Sequence, residues 1–307
     1  GHHHTRCSVW AWLLLLSRWP DSMVRRALAV HLRTFALVQQ LMLCQNLRSF
    51  AAGFVMSDPI LYQRNGHIAQ LTLNIPEKHN SLGQQELEAI QGVLQEIEKD
   101  PEVRVLVVTG AGDKTFCAGA SLKQLGAGQM SDDTFQATTT RLASLSIPSI
   151  ASLNGNVFGG GVELALSCDF RIGLEGTRMR VPAAAIGLCY PLSGINRFVQ
   201  RMGVNLAKRI LVASEEFDAE AMLEIGFLDH LVLPAQREQF TEDLAQHIAN
   251  LAPLAVRAMK NILDKAAAGG MDMEQARQLS DQCLNSEDLQ EGFAAQREKR
   301  KPRFRGA

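Results

Sequence analysis

Along residues 60–173 the spacing of apolar positions changes again and again, and each change predicts a new element. Residues 60–64 and 67–74 flank Asn65-Gly66, a dipeptide suited to a tight turn, so a β-hairpin is expected. Across 84–100, Leu87, Ile90, Leu94 and Ile97 recur at helical spacing with charges between them, and Pro101 ends that helix. Residues 103–109 form a nearly continuous β-branched run, the pattern of a strand buried on both faces. A loop over 110–119 is expected next, then a helix from about 135 to 145 and a strand over 149–153. A helix-like run over 162–167 and a strand over 169–173 follow. Strand alternating with helix predicts an α/β architecture.

Beyond residue 200 the pattern turns helical, over 206–214, 219–225, 237–251, 255–268 and 273–285, and the chain ends in a basic stretch, 297–305. No internal repeat or low-complexity linker marks a boundary. The expected organisation is a core over 56–250 and a helical C-terminal region over 251–307. Residues 1–55 read differently. Gly1-His2-His3-His4 has the form of a tag remnant, and the apolar run 9–16 is too short to span a bilayer. Four arginines (Arg18, Arg25, Arg26, Arg33) follow it in a stretch poor in acids, as in a targeting segment, but an upstream extension ahead of a true start at Met56 fits equally. This stretch is set apart from the fold.

A length of 307 residues allows one or two domains with a substantial core. The formal net charge of -1 supplies no basic field to recruit nucleic acid or an anionic membrane. The six cysteines lie far apart with no CxxC pair, which argues for reduced thiols in a cytoplasmic compartment rather than disulfides or a zinc site.

The candidate chemistry lies in two loops. Gly159, Gly160 and Gly161 follow a strand-like run and open a helix-like one, with Glu163 just beyond. Successive glycines at such a junction let the backbone approach a ligand and aim N–H groups at it. The other loop is Phe116-Cys117-Ala118-Gly119-Ala120-Ser121-Leu122-Lys123. Each loop could direct one N–H at a common point, and two such donors make an oxyanion hole; each could equally be a tight turn packing small residues. A carboxylate beside such donors suits enolate chemistry next to a carbonyl. Gly110-Ala111-Gly112 lacks the third glycine and the helix of a dinucleotide fingerprint, and Lys114 lacks the P-loop spacing. Ser121 has no histidine signature nearby, so a serine nucleophile is not expected.

Taken together, 116–120, Gly159-Gly160-Gly161-Val162-Glu163-Leu164, Cys168-Asp169, 76–82 and the tail over 286–302 resemble the enoyl-CoA hydratase/isomerase (crotonase) superfamily, from about Tyr62 to the C-terminus. The resemblance implies a spiral of ββα units with a C-terminal helical region, assembled as a homotrimer or a dimer of trimers. It implies an acyl-CoA substrate, with coenzyme A as part of that substrate and neither a separate cofactor nor a metal. By motif position, Ala120 and Gly160 would supply the two N–H donors and Glu163 the acid/base. Ala118, Lys123, Phe293 and Lys301, with Phe304, would contact the CoA portion. One departure matters: the second glutamate of the hydratases falls at Ala183. A methyl group cannot orient water or deliver a proton. Tyr190, Cys189 and Asn196 lie in the same stretch as substitutes, though Tyr190 before Pro191 also reads as a packing residue. The expected function is enoyl-CoA hydratase/isomerase-type chemistry. The alternatives are a single-glutamate double-bond isomerase, a decarboxylase or other lyase, or a non-catalytic acyl-CoA-binding protein. RNA binding is disfavoured by the near-neutral charge and the lack of an aromatic-rich basic strip.

Overall fold

A computed structural model describes residues 58–307 of the protein. The reading of residues 1–55 as an extension, with Cys7 and Cys44, lies outside the described residues. The hairpin forms where its turn dipeptide predicts. Strand β1 (Ile60–Asn65) pairs antiparallel with β2 (Ile68–Leu73), and Gly66 takes a left-handed φ of 58° at the turn. Helix α1 (Gln84–Lys99) buries the four residues of its apolar stripe, Leu87, Ile90, Leu94 and Ile97. Its start is fixed by Glu86, whose carboxylate accepts from the Gly83 N–H at 2.9 Å.

From β3 onward the chain alternates between two sheets. Strands β3 (Val105–Gly110), β5 (Ser149–Ser152), β7 (Phe170–Leu174) and β10 (His230–Val232) extend the hairpin into a six-stranded sheet of order β1-β2-β3-β5-β7-β10, parallel from β2 on. Strands β4 (Thr115–Cys117), β6 (Asn156–Phe158), β8 (Arg178–Arg180) and β9 (Glu216–Asp218) form a four-stranded sheet of order β4-β6-β8-β9. Three successive turns of the chain, from β3 to β8, each give one strand to the large sheet and one to the small sheet, then enter helix. After β3 and β4 come α2 (Leu122–Gly126) and α3 (Asp132–Ala143); after β5 and β6 comes α4 (Gly160–Leu166). After β7 and β8 come α5 (Leu192–Met202) and α6 (Val204–Leu211). The architecture is the expected crotonase-type spiral of ββα units.

The continuous apolar run of β3 follows from its position. Leu106 and Val108 enter the core shared with α1 and the small sheet, whereas Val105 and Val107 face a second core closed by Ala245, Ile248 and Ala249. Those three residues lie on α8 (Arg237–Ala249), which follows α7 (Ala219–Glu224) and β10. The loop expected over 110–119 is corrected at Thr115–Cys117, which is a strand parallel to β6. Three residues are too few to show a period.

The C-terminal region consists of α9 (Pro253–Ala267), α10 (Met273–Leu284) and α11 (Glu287–Glu298). Helix α11 was not predicted from the apolar pattern, because it buries only Asp288 and Ala295. It is started instead by Ser286, whose hydroxyl accepts from the Leu289 N–H at 3.1 Å. Lys260 of α9 donates to Asp169, which also accepts from Ser149 N at 2.7 Å, so α9 is tied to the edge of β5. Met259, Leu263, Met273, Leu284 and Phe293 on these helices are all exposed. Among the described residues no helix is long and apolar enough to cross a membrane.

Candidate active site

Two buried asparagines fix the first candidate loop. The Asn154 side chain accepts from Gly110 N at 2.9 Å and donates to the carbonyls of Gly112 (3.0 Å) and Thr115 (3.2 Å). Asn80 donates to the carbonyls of Ala111 (3.0 Å) and Thr115 (2.8 Å) while accepting from Ile75 N at 3.0 Å. Together they satisfy the backbone between β3 and β4, which would otherwise carry unpaired polar groups into the core. Beyond β4 the chain turns at Gly119, with φ 87°. A Cβ added there would stand 2.3 Å from Gly160 N, and one added at Gly161 would stand 2.1 Å from the Cys117 carbonyl oxygen. The two loops therefore meet backbone to backbone, a contact only glycine permits. Cys117 lies under this contact with its sulfur accepting from Gly119 N at 3.3 Å. Burial pushes its thiol up to about 12, which makes it a packing residue rather than a nucleophile.

Gly119 O and Ser121 N are both engaged by Leu82, at 2.8 Å each, leaving Ala120 between two anchored peptides. Neither Ala120 N nor Gly160 N donates to an acceptor among the described residues. Both residues line one cavity of about 110 Å³, together with Ala118 and Gly159. The rest of its wall is aliphatic or aromatic except for two side chains, Gln136 and Tyr190. Among the described residues no carboxylate lines it.

Glu163 lies just behind that wall. It belongs to the first turn of α4 and is fully buried. Its Oε1 accepts from Thr139 at 3.0 Å, and its Oε2 accepts from the Tyr190 hydroxyl at 2.9 Å and the Gln136 amide at 3.1 Å. Arg197 Nε stands 3.7 Å from Oε1, close enough for an ion pair but too far for a hydrogen bond, and that nitrogen has no other partner. Burial pulls the Arg197 guanidinium below its ordinary value, and the charge of Glu163 works against that pull. Burial likewise pushes the Tyr190 phenol well above its usual 10, with the neighbouring Glu163 charge adding to the rise. The carboxylate is thus held by donors from α3 and the segment before α5, with a cation of α5 nearby.

Sequence reasoning missed Gln136, Thr139 and Arg197. The signal available was weak: Gln136 and Thr139 are one helical turn apart on the side of α3 that also carries buried Phe135 and Leu142. Tyr190 packs as one of its two readings expects, and it also touches the carboxylate. Its ring packs edge-on against Phe198 at 5.6 Å, and its hydroxyl reaches Glu163. Cys189 and Asn196 are exposed and do not line the cavity. Ala183 does line it, buried in helical geometry (φ -56°, ψ -52°) ahead of a short 3-10 turn.

Of the residues expected to contact CoA, only Ala118 shares the cavity with the two amides. Lys123 is exposed on α2, whose Leu122 and Leu125 line the wall. Phe293 lies in a separate cleft of about 330 Å³ with Leu289 and Phe304. Lys301 lies in a groove with Glu291, Arg300 and Arg303. The described residues contain no cluster of side chains suited to a metal ion.

The family model described as enoyl-CoA hydratase/isomerase matches residues 63–307. YngF of Bacillus subtilis (strain 168) is 34% identical over 261 residues, covering 82% of this chain and 100% of YngF. The short-chain-enoyl-CoA hydratase of Clostridium acetobutylicum is 30% identical over 253 residues, covering 79% of this chain and 95% of that enzyme. The crystal structure of enoyl-CoA hydratase from Bacillus anthracis matches with a TM-score of 0.73 and 30% identity, over 81% of this chain and 100% of that one.

Proposed function

The chain belongs to the enoyl-CoA hydratase/isomerase family, and from that premise we propose that it moves a proton beside the carbonyl of an acyl-CoA thioester through a stabilised enolate. It is an enzyme of the acyl-CoA hydratase/isomerase type. The observation that carries the site assignment is the pair of unengaged main-chain amides, Ala120 and Gly160, lining one largely apolar cavity with Glu163 behind its wall. Taking a proton from the carbon next to a thioester puts negative charge on the thioester oxygen. Two fixed donors in an apolar space stabilise that charge, each by roughly 3 kcal/mol.

Hydration as the family's two-glutamate members perform it needs a second carboxylate, and Ala183 occupies that part of the wall. The arrangement therefore favours a 1,3-proton shift, moving a double bond, over the two-carboxylate addition of water. The CoA portion would leave past Ala118 toward Lys123. Phe293 and Lys301 would cover it from a neighbouring copy, because both lie outside this cavity in their own chain. The exposed apolar residues of α9, α10 and α11 support a homotrimer or a dimer of trimers. The four cysteines among the described residues are all free, in keeping with a cytoplasmic setting.

The test is turnover of a panel of 2- and 3-enoyl-CoAs by wild type and Glu163→Gln, with binding measured by calorimetry. Wild type should turn over at least one, and the variant should lose about 10³-fold in kcat while still binding. Equal binding with no turnover by either protein would show a thioester-binding module instead.

A further inference from the structure

Glu163 is buried and is not among the residues that line the cavity, so a side chain touching both is placed to carry a proton between it and an acyl chain. Two side chains both line the cavity and hydrogen-bond Glu163 Oε2: Gln136 through its amide and Tyr190 through its hydroxyl. An amide donates a hydrogen bond but does not give up its proton. A phenol can accept one proton while releasing another. The chain also makes room for this tyrosine. A Cβ on residue 194 would come within 2.4 Å of the Tyr190 ring and 2.9 Å of Glu163 Oε2, and residue 194 is glycine. Gln136 is itself held by Ser193, whose hydroxyl donates to the Gln136 carbonyl oxygen, so its amide stays turned toward Glu163.

We propose that Tyr190 is the catalytic residue that exchanges the proton with the acyl chain, with Glu163 as the store behind it. The inference rests on the enolate chemistry proposed above and adds the route. The C–H bond next to the thioester carbonyl breaks and its proton goes to the Tyr190 oxygen, while the phenolic proton passes to Glu163 Oε2. The C–H electron pair enters the enolate, whose charge settles on the thioester oxygen at the Ala120 and Gly160 amides. The reverse transfer at the γ carbon returns a proton through the same oxygen and restores the Glu163 carboxylate. The double bond has moved, and no proton is consumed.

The experiment compares full-length wild type, Tyr190→Phe and Glu163→Gln in two assays. One is isomerisation of 3-hexenoyl-CoA; the other is deuterium uptake at the α carbon of butyryl-CoA in D₂O. Tyr190→Phe keeps the ring against Phe198 and should lower kcat on the order of 100-fold or more, with KM within about threefold. The chain has two tyrosines, Tyr62 and Tyr190, so 3-fluorotyrosine incorporated into a Tyr62→Phe background labels residue 190 alone. The more acidic fluorophenol should shift the pH–rate profile, which a packing role would leave unmoved. If Tyr190→Phe misfolds, the fluorinated protein decides the question. An active wild type with Tyr190→Phe within threefold of it, or with an unmoved fluorinated profile, overturns the relay alone. A wild type that binds both thioesters without isomerisation or deuterium uptake overturns the relay and the enolate reading together.

Discussion

The two sides of the cavity are built by different means. On one side stand the turns around Gly119 and Gly160, where the proposed working groups are backbone amides and the fixing groups are Asn80 and Asn154. On the other stands the segment 181–191, where Val181 and Ala183 are buried but Ala184, Ala185, Ile186 and Gly187 are exposed. There the proposed working groups are side chains, and Glu163 is hydrogen-bonded from α3 and from Tyr190 and faces Arg197 of α5. The side that stabilises charge leaves no room for substitution. The side that handles the proton can be altered at single positions without disturbing the backbone, and a family that varies its reactions would be expected to vary this side.

The comparison breaks most severely at Gly119. Alanine there would hold a side chain at φ 87° and drive its Cβ to 2.3 Å from Gly160 N. Strain and overlap together should cost about 3 kcal/mol or more of stability and abolish turnover. Denaturant unfolding and kcat measured on one preparation check both. A stable, active Gly119→Ala would mean that the two loops are not locked.

A smaller effect tests the opposite side. Ala183 has helical backbone angles that any residue adopts, and it faces the cavity, so Ala183→Glu should fold. Supplying the missing carboxylate should raise hydration of crotonyl-CoA about tenfold relative to 3-enoyl isomerisation. The product ratio reads this directly, and an unchanged ratio in a folded variant would show that position 183 does not govern the reaction.

The smallest effect concerns alkaline stability. The folded-state value of Tyr190 is raised by burial, then by Glu163, with Arg197 opposing and Cys117 adding slightly. The sign follows from linkage. The unfolded phenol ionises near 10 while the folded one stays protonated, so its stabilising contribution is complete below pH 10 and is lost as pH climbs toward the folded value. Tyr190→Phe lacks that loss. Between pH 8 and pH 11, about one pH unit past the phenol value, wild type should lose at most about 1.4 kcal/mol more than the variant. Urea midpoints at the two pH values measure the difference.

What the sequence discloses divides along the same line. The amide side is legible because each turn is local: neighbouring glycines and alanines announce it within ten residues, next to strands with a clear apolar period. The proton side is legible only in Glu163 and Tyr190, because Gln136, Thr139 and Arg197 join them only in three dimensions. Helix α5 is the exception: Leu192, Ile195, Phe198 and Met202 recur at helical spacing, so its stripe is legible in the sequence although the expected elements omit it. The short strands of the small sheet are hidden by their length, and α11 by burying a carboxylate where an aliphatic residue would be expected.

The oily lining of the 110 Å³ cavity also decides what is turned away. An acyl group bearing its own carboxylate, as decarboxylation requires, would enter a space with no cation on its wall; Arg197 lies behind it, already facing Glu163. Stripping water from that extra charge would cost several kcal/mol with nothing in return. Uncharged chains meet no such penalty, so on the proposed function selectivity would be rejection of dicarboxylic thioesters and not recognition of any one tail.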